Sequence, residues 1–102
     1  MDTLCQRYVL CMLRLNGYEI LEYDVQGYDI LATDGEYDYY IEVKCGPSTD
    51  LTDYQSAFKD AIDNIAPEVG YNARYVVCQF DDDGNLIKDE MCAYLLTTPA
   101  RS

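Results

Sequence analysis

Gly27-Tyr28-Asp29-Ile30-Leu31-Ala32-Thr33-Asp34-Gly35-Glu36-Tyr37-Asp38-Tyr39-Tyr40-Ile41-Glu42-Val43-Lys44 is the stretch on which the fold turns. Asp34-Gly35 lies between two runs rich in β-branched and aromatic residues, the signal of a β-hairpin. A hairpin sets Asp29, near the start of one strand, opposite Glu42 and Lys44, near the end of the next. Residues 42 and 44 are two apart, so their side chains leave one face of the strand and Val43 leaves the other. Two carboxylates and a lysine then converge at one sheet edge. Magnesium takes hard oxygen ligands, one or two of them carboxylates, and keeps several waters. Asp29 and Glu42 offer those carboxylates, and the Val43 carbonyl offers a third oxygen. A bound metal acidifies its water and stabilises charge developing on a phosphoryl oxygen. Lys44 beside that water is placed to orient it or help deprotonate it, and to offset phosphate charge. The plainer alternative is a cross-strand ion pair of Lys44 with Asp29 or Glu42 on a solvated face.

Working outward, residues 3–16 read as a helix, with Leu4, Tyr8, Cys11, Met12 and Leu15 at helical spacing. Asp2 or Thr3 can cap its start, and Asn16-Gly17 stops it. Residues 18–25 form a first strand, ahead of the two hairpin strands. After a loop at 45–50, a second helix covers roughly 51–66, with Thr52-x-x-Gln55 as a capping box. Leu51, Tyr54, Phe58, Ala61, Ile62 and Ile65 make its expected buried stripe, and Lys59 pairs with Asp63 along its surface. The apolar run in 73–80 suits a central buried strand, 81–85 a solvated turn, and Met91–Leu96 a last edge strand. A helix between the third and fourth strands makes their pairing parallel. Most of the eleven tyrosines occupy strand positions, where packing explains them.

The Asp followed by Glu-x-Lys at the ends of paired strands resembles the core of the PD-(D/E)XK nuclease superfamily, with Tyr28 in place of the usual proline. The likeness is nearest to its small predicted endonucleases, related to archaeal Holliday-junction resolvases and Mrr-type enzymes. In those an N-terminal helix runs into Gly-Tyr and an Ile-Leu strand, as Asn16-Gly17-Tyr18-Glu19-Ile20-Leu21 does here. The resemblance covers residues 4–46 best and the remainder as an order of elements. It implies a single α/β domain over 1–102, with a restriction-endonuclease-like αβββαβ core and a mixed sheet flanked by helices. It also implies a Mg2+- or Mn2+-dependent endonuclease, or the nuclease subunit of a DNA-processing complex, with Asp29, Glu42 and Lys44 as catalytic residues. Related nucleases often carry a glutamate on the first helix where this chain has Gln6. A glutamine can hydrogen-bond a metal-bound water but adds no charge. Gln55, on the helix after Glu-x-Lys, stands where relatives sometimes recruit a polar helper. For each glutamine the plain reading is structural: a polar residue on the helix edge for Gln6, the cap for Gln55.

Composition argues partly against that activity. The net charge is −12, from nineteen acids and seven scattered bases, whereas nucleic-acid binding draws on clustered Lys and Arg. DNA binding is therefore expected to be weak in a monomer, and a homodimer or a partner protein would have to supply the grip. The same acidity supports an alternative: a non-catalytic binding protein on a nuclease-like fold, a decoy or inhibitor of a nucleic-acid enzyme. The absence of histidine removes His-dependent triads and zinc hydrolases. Five cysteines with no CxxC spacing read as reduced, buried thiols. With no membrane-length apolar run and no secretory signal pattern, the expectation is a cytoplasmic protein.

Overall fold

The computed structural model describes residues 3–46, 50–87 and 90–100. The chain is α/β, with a five-stranded mixed sheet and three helices: α1 (Leu4–Leu15), β1 (Glu19–Val25), β2 (Tyr28–Thr33), β3 (Asp38–Cys45), α2 (Asp53–Asn64), β4 (Ala73–Phe80), β5 (Leu86–Ile87) and α3 (Glu90–Thr97). A single 3₁₀ turn, Pro67–Val69, follows α2. The strands lie in the order β1-β2-β3-β4-β5. The hairpin forms as its turn residues require: β2 and β3 pair antiparallel, with Ile30 opposite Ile41 and Thr33 opposite Asp38. Asp34 closes the turn by accepting from the Glu36 and Tyr37 amides at 2.9 and 2.7 Å. Because α2 carries the chain back across the sheet, β4 returns parallel to β3 with Glu42 opposite Val77.

One face of the sheet holds the main core. Ile30, Ala32, Tyr39, Ile41, Val43, Val76, Cys78 and Phe80 pack against Val9 and Leu13 of α1 and Cys92, Leu95 and Leu96 of α3. The other face is thinly covered by α2, from which only Ile62 is buried. Tyr54 and Ile65, expected in its stripe, are exposed. Both helices begin as their sequences predict. Thr3 accepts from the Gln6 amide and Gln6 Oε1 from the Thr3 amide, and Thr52 and Gln55 repeat that reciprocal pair. Asn16 ends α1, and its side-chain amide donates to the Leu96 carbonyl at 2.9 Å, closing the far end of α3.

Three expectations are overturned. Met91–Leu96 is not an edge strand but part of α3. Its buried residues, Cys92, Leu95 and Leu96, follow a helical spacing of three and four, which a short apolar run disguises. The edge strand is instead the two-residue β5, paired antiparallel to β4 across the expected Asp81–Asn85 turn. The apolar stripe read on α1 is mostly the wrong face: Leu4, Tyr8, Cys11 and Leu15 are exposed, though the Tyr8 ring meets Phe80, Met12 packs against the core half-buried, and the residues buried there are Val9 and Leu13. The cysteines are not all reduced, since Cys5 bonds Cys45 and Cys78 bonds Cys92, with Cα atoms 6.0 and 5.5 Å apart. These partners are 40 and 14 residues apart in sequence, and only the tertiary fold makes them neighbours. The cytoplasmic expectation leaned on reduced thiols and loses that basis. Among the described residues no helix is long and apolar enough to cross a membrane.

Candidate functional site

The β2–β3 ladder stops at the Ile30–Ile41 pair, and beyond it the two strands form a fork. There the Val43 amide donates to Asp29 Oδ2 at 2.8 Å, so a carboxylate takes the place of a backbone acceptor. A residue that offers its N–H to one strand edge also turns its C=O to that edge, so the Val43 carbonyl faces the Asp29 side. Glu42 is 4% exposed, the one buried charged residue among those described. Its Oε1 lies 3.6 Å from Lys44 Nζ, and its Oε2 is buried with no hydrogen-bond partner. Lys44 Nζ also donates to Gln55 Oε1 at 3.2 Å. Gln55 thus both caps α2 and holds the lysine.

Electrostatics follow from this burial. The Glu42 carboxyl is pushed up to about 7, chiefly by loss of water and then by the Asp29 charge, while Lys44 pulls it down. Tyr75 on β4 is raised by burial and then by Glu42 and Asp29. Its hydroxyl donates to the Gly27 carbonyl at 2.8 Å, at the bend that leads into Asp29. Tyr28, Tyr40, Phe58 and Tyr75 wall this region, with ring centroids 5.0 to 6.2 Å apart. Gly27 has φ +98°, and a Cβ there would come 2.7 Å from a Tyr54 ring carbon, so α2 rests directly on the bend.

Asp29, Glu42, Val43, Lys44 and Gln55 are therefore together. Gln6 is occupied in the capping box of α1. The Cys5–Cys45 bond brings that first turn up to the residue following Lys44. Sequence reasoning missed Tyr75 and the aromatic wall. Tyr75 was legible only as part of an apolar run, because its place opposite Tyr40 depends on the parallel register.

Two carboxylates and a strand carbonyl are hard-oxygen donors, and Glu42 leaves a buried acceptor unsatisfied. That set fits Mg2+ or Mn2+, which need few protein ligands and retain water. Among the described residues no three His, Cys, Asp or Glu side chains group to hold a metal, so an ion here would rest on two carboxylates, with the Val43 carbonyl and water as its other ligands. Four clefts of about 260 to 440 Å³ are lined by other residues. No protein-family model and no characterised protein matches the chain.

Proposed function

We propose that the fork formed by Asp29, Glu42 and Lys44 is a divalent-metal site for phosphodiester hydrolysis, acting on nucleic acid, with DNA as the first substrate to try. The observation that carries this reading is the buried Glu42 carboxylate, with one oxygen unpartnered, beside a second carboxylate and a lysine. Two acids in one half-buried fork repel each other, and a cation between them relieves that cost. Asp29 and Glu42 would hold Mg2+ or Mn2+, with the Val43 carbonyl as a further oxygen. The ion supplies Lewis-acid stabilisation of phosphoryl charge and a more acidic water. Lys44, steadied by Gln55, orients the attacking water and offsets charge on the phosphate. The water oxygen, losing a proton to solvent, would form the new P–O bond as the ester P–O bond on the opposite side breaks, and the departing oxygen would take a proton from solvent. With a net charge of −12 the monomer would grip DNA weakly.

The test incubates the protein with branched, single-stranded and duplex DNA in Mn2+, beside Lys44→Ala. Cleavage by the wild type alone supports the proposal and begins to define the substrate. A parallel melting experiment separates site from activity. At saturating Mn2+ the wild type should melt several degrees higher, since a ligand at ~100 times its Kd adds about 2.7 kcal/mol. Glu42→Gln and Asp29→Asn should lose that gain, and an unchanged metal response in both would sink the site. The acidity favours a second reading, a non-catalytic binding protein that docks a basic partner. It predicts no metal response, no cleavage, and partner binding that weakens steeply with salt.

A further inference from the structure

Residues 27–29 carry one arm of the fork yet lie beyond the β2–β3 ladder, which begins at the Ile30–Ile41 pair. β1 closes on β2 at Val25–Tyr28, across a two-residue turn of Gln26 and Gly27. Asp24 and Gly27, on either side of Val25-Gln26, both have left-handed backbone, with φ of +59° and +98°. Pairing with β3 therefore does not set where Asp29 stands.

Side chains cross the gap instead. Asp29 Oδ2 accepts from the Val43 amide at 2.8 Å, and the Tyr75 hydroxyl donates to the Gly27 carbonyl, also at 2.8 Å. Because β3 lies between β4 and β2, the Tyr75 side chain spans a whole strand to make that bond. Tyr75 stands level with Tyr40 in the parallel ladder and packs with it in the cluster under α2. Glu42 and Lys44 alternate onto that same face of β3. Burial, and then the charges of Glu42 and Asp29, raise the phenol above the usual tyrosine range, as fits a hydroxyl beside both carboxylates. Its single proton goes to the backbone, and Glu42 Oε2 stays open. The bend is also backed by packing: the Tyr54 ring lies against Gly27, and Tyr28 is walled by Tyr40 and Phe58. Such contacts are non-directional and leave a peptide plane free to turn, whereas a hydrogen bond to its carbonyl fixes that plane.

We infer that Tyr75 is a positioning residue for the fork: its hydroxyl fixes the Gly27 peptide and so holds the Asp29 carboxylate against the Val43 amide and beside Glu42. One residue, Tyr28, separates the fixed peptide from Asp29, and its ring is itself held, so the constraint passes directly to the carboxylate. The placement of Asp29 needs no metal. Its consequence for an ion rests on the reading of the fork as a metal site.

Amide hydrogen exchange of the isotope-labelled full chain in metal-free buffer, followed by NMR, tests the placement. Tyr75→Phe keeps the ring and removes only the hydroxyl. It should speed exchange at Val43 about fivefold, the weight of one lost hydrogen bond. Glu42 and Lys44, whose amides turn to β4, should keep their wild-type rates. In an Asp29→Ala background the Val43 amide has no carboxylate to meet, and Tyr75→Phe should add nothing there. An unchanged Val43 overturns the inference, and so does equal acceleration at all three residues, the mark of general loosening. In a Mn2+ titration Tyr75→Phe should raise the Kd about fivefold with far-UV circular dichroism unchanged. A wild type that binds Mn2+ and a variant that binds it equally well also overturn the inference. A wild type that binds no Mn2+, with Val43 exchange still tied to Tyr75, defeats the metal reading and leaves the positioning role standing.

Discussion

Glu42 is where the fold and the candidate chemistry pull against each other. Its carboxyl is raised to about 7 from an ordinary 4.5, so between those values the folded chain holds a proton that the unfolded chain has released. Stability varies with pH as the difference in bound protons, unfolded minus folded, and that difference is negative here. The contribution is therefore complete below about pH 4.5 and is lost as the pH rises through about 7. Asp29 and Tyr75 face the same carboxylate, and Lys44 partly offsets it. Glu42→Gln should remove the effect: in metal-free buffer the variant should match the wild type near pH 4 and exceed it at pH 8 by up to about 3 kcal/mol. Urea unfolding of both proteins at several pH values measures this. A constant difference between them from pH 4 to 8 would rule out a strained Glu42. Asp29 and the Glu-x-Lys triplet were legible because a two-residue spacing on a hairpin strand dictates a shared face. The Lys44–Gln55 contact was not, because it depends on where α2 comes to rest.

At the scale of elements, the helix starts are the most local features. Each capping box satisfies two amides that would otherwise lack partners, using residues three apart. Thr3→Ala and Thr52→Ala should each cost about 1 kcal/mol of stability, read from the urea midpoint. A midpoint unmoved in both would mean that the caps contribute nothing. Which face of a helix is buried proved less local. On α1, two apolar stripes compete, and the sheet accepts the one carrying the smaller Val9 with Leu13. On α3, the same six apolar residues suit a strand or a helix until the Cys78–Cys92 bond and the sheet's open face fix the spacing.

The whole molecule is held by two covalent ties that differ in access. Cys78 and Cys92 are both fully buried between β4 and α3, whereas Cys45 is exposed at the end of β3. Loop-closure entropy sets each bond's contribution at roughly 3 kcal/mol for the shorter loop and about 4 for the longer. A small domain with one thin sheet face has little else in reserve. Dithiothreitol should reduce Cys5–Cys45 in the native protein and spare Cys78–Cys92 until the chain unfolds, with the melting temperature falling in two stages. Alkylation followed by mass analysis reads the order of reduction. Simultaneous loss of both bonds under native conditions would contradict the burial described.

By itself the sequence determined the hairpin, the helix starts, the element order up to β4 and the meeting of Asp29 with Glu42 and Lys44. Each depends on residues close in the chain or on strand alternation, so local propensities suffice. The tertiary structure alone decided the disulfide partners, the exposed face of α1, the helical state of residues 90–97 and the approach of Tyr75 and Gln55 to the fork. Those are contacts between elements far apart in sequence. Several apolar faces could have made them, and the choice fell to whichever packing buried the most surface while pairing the strands.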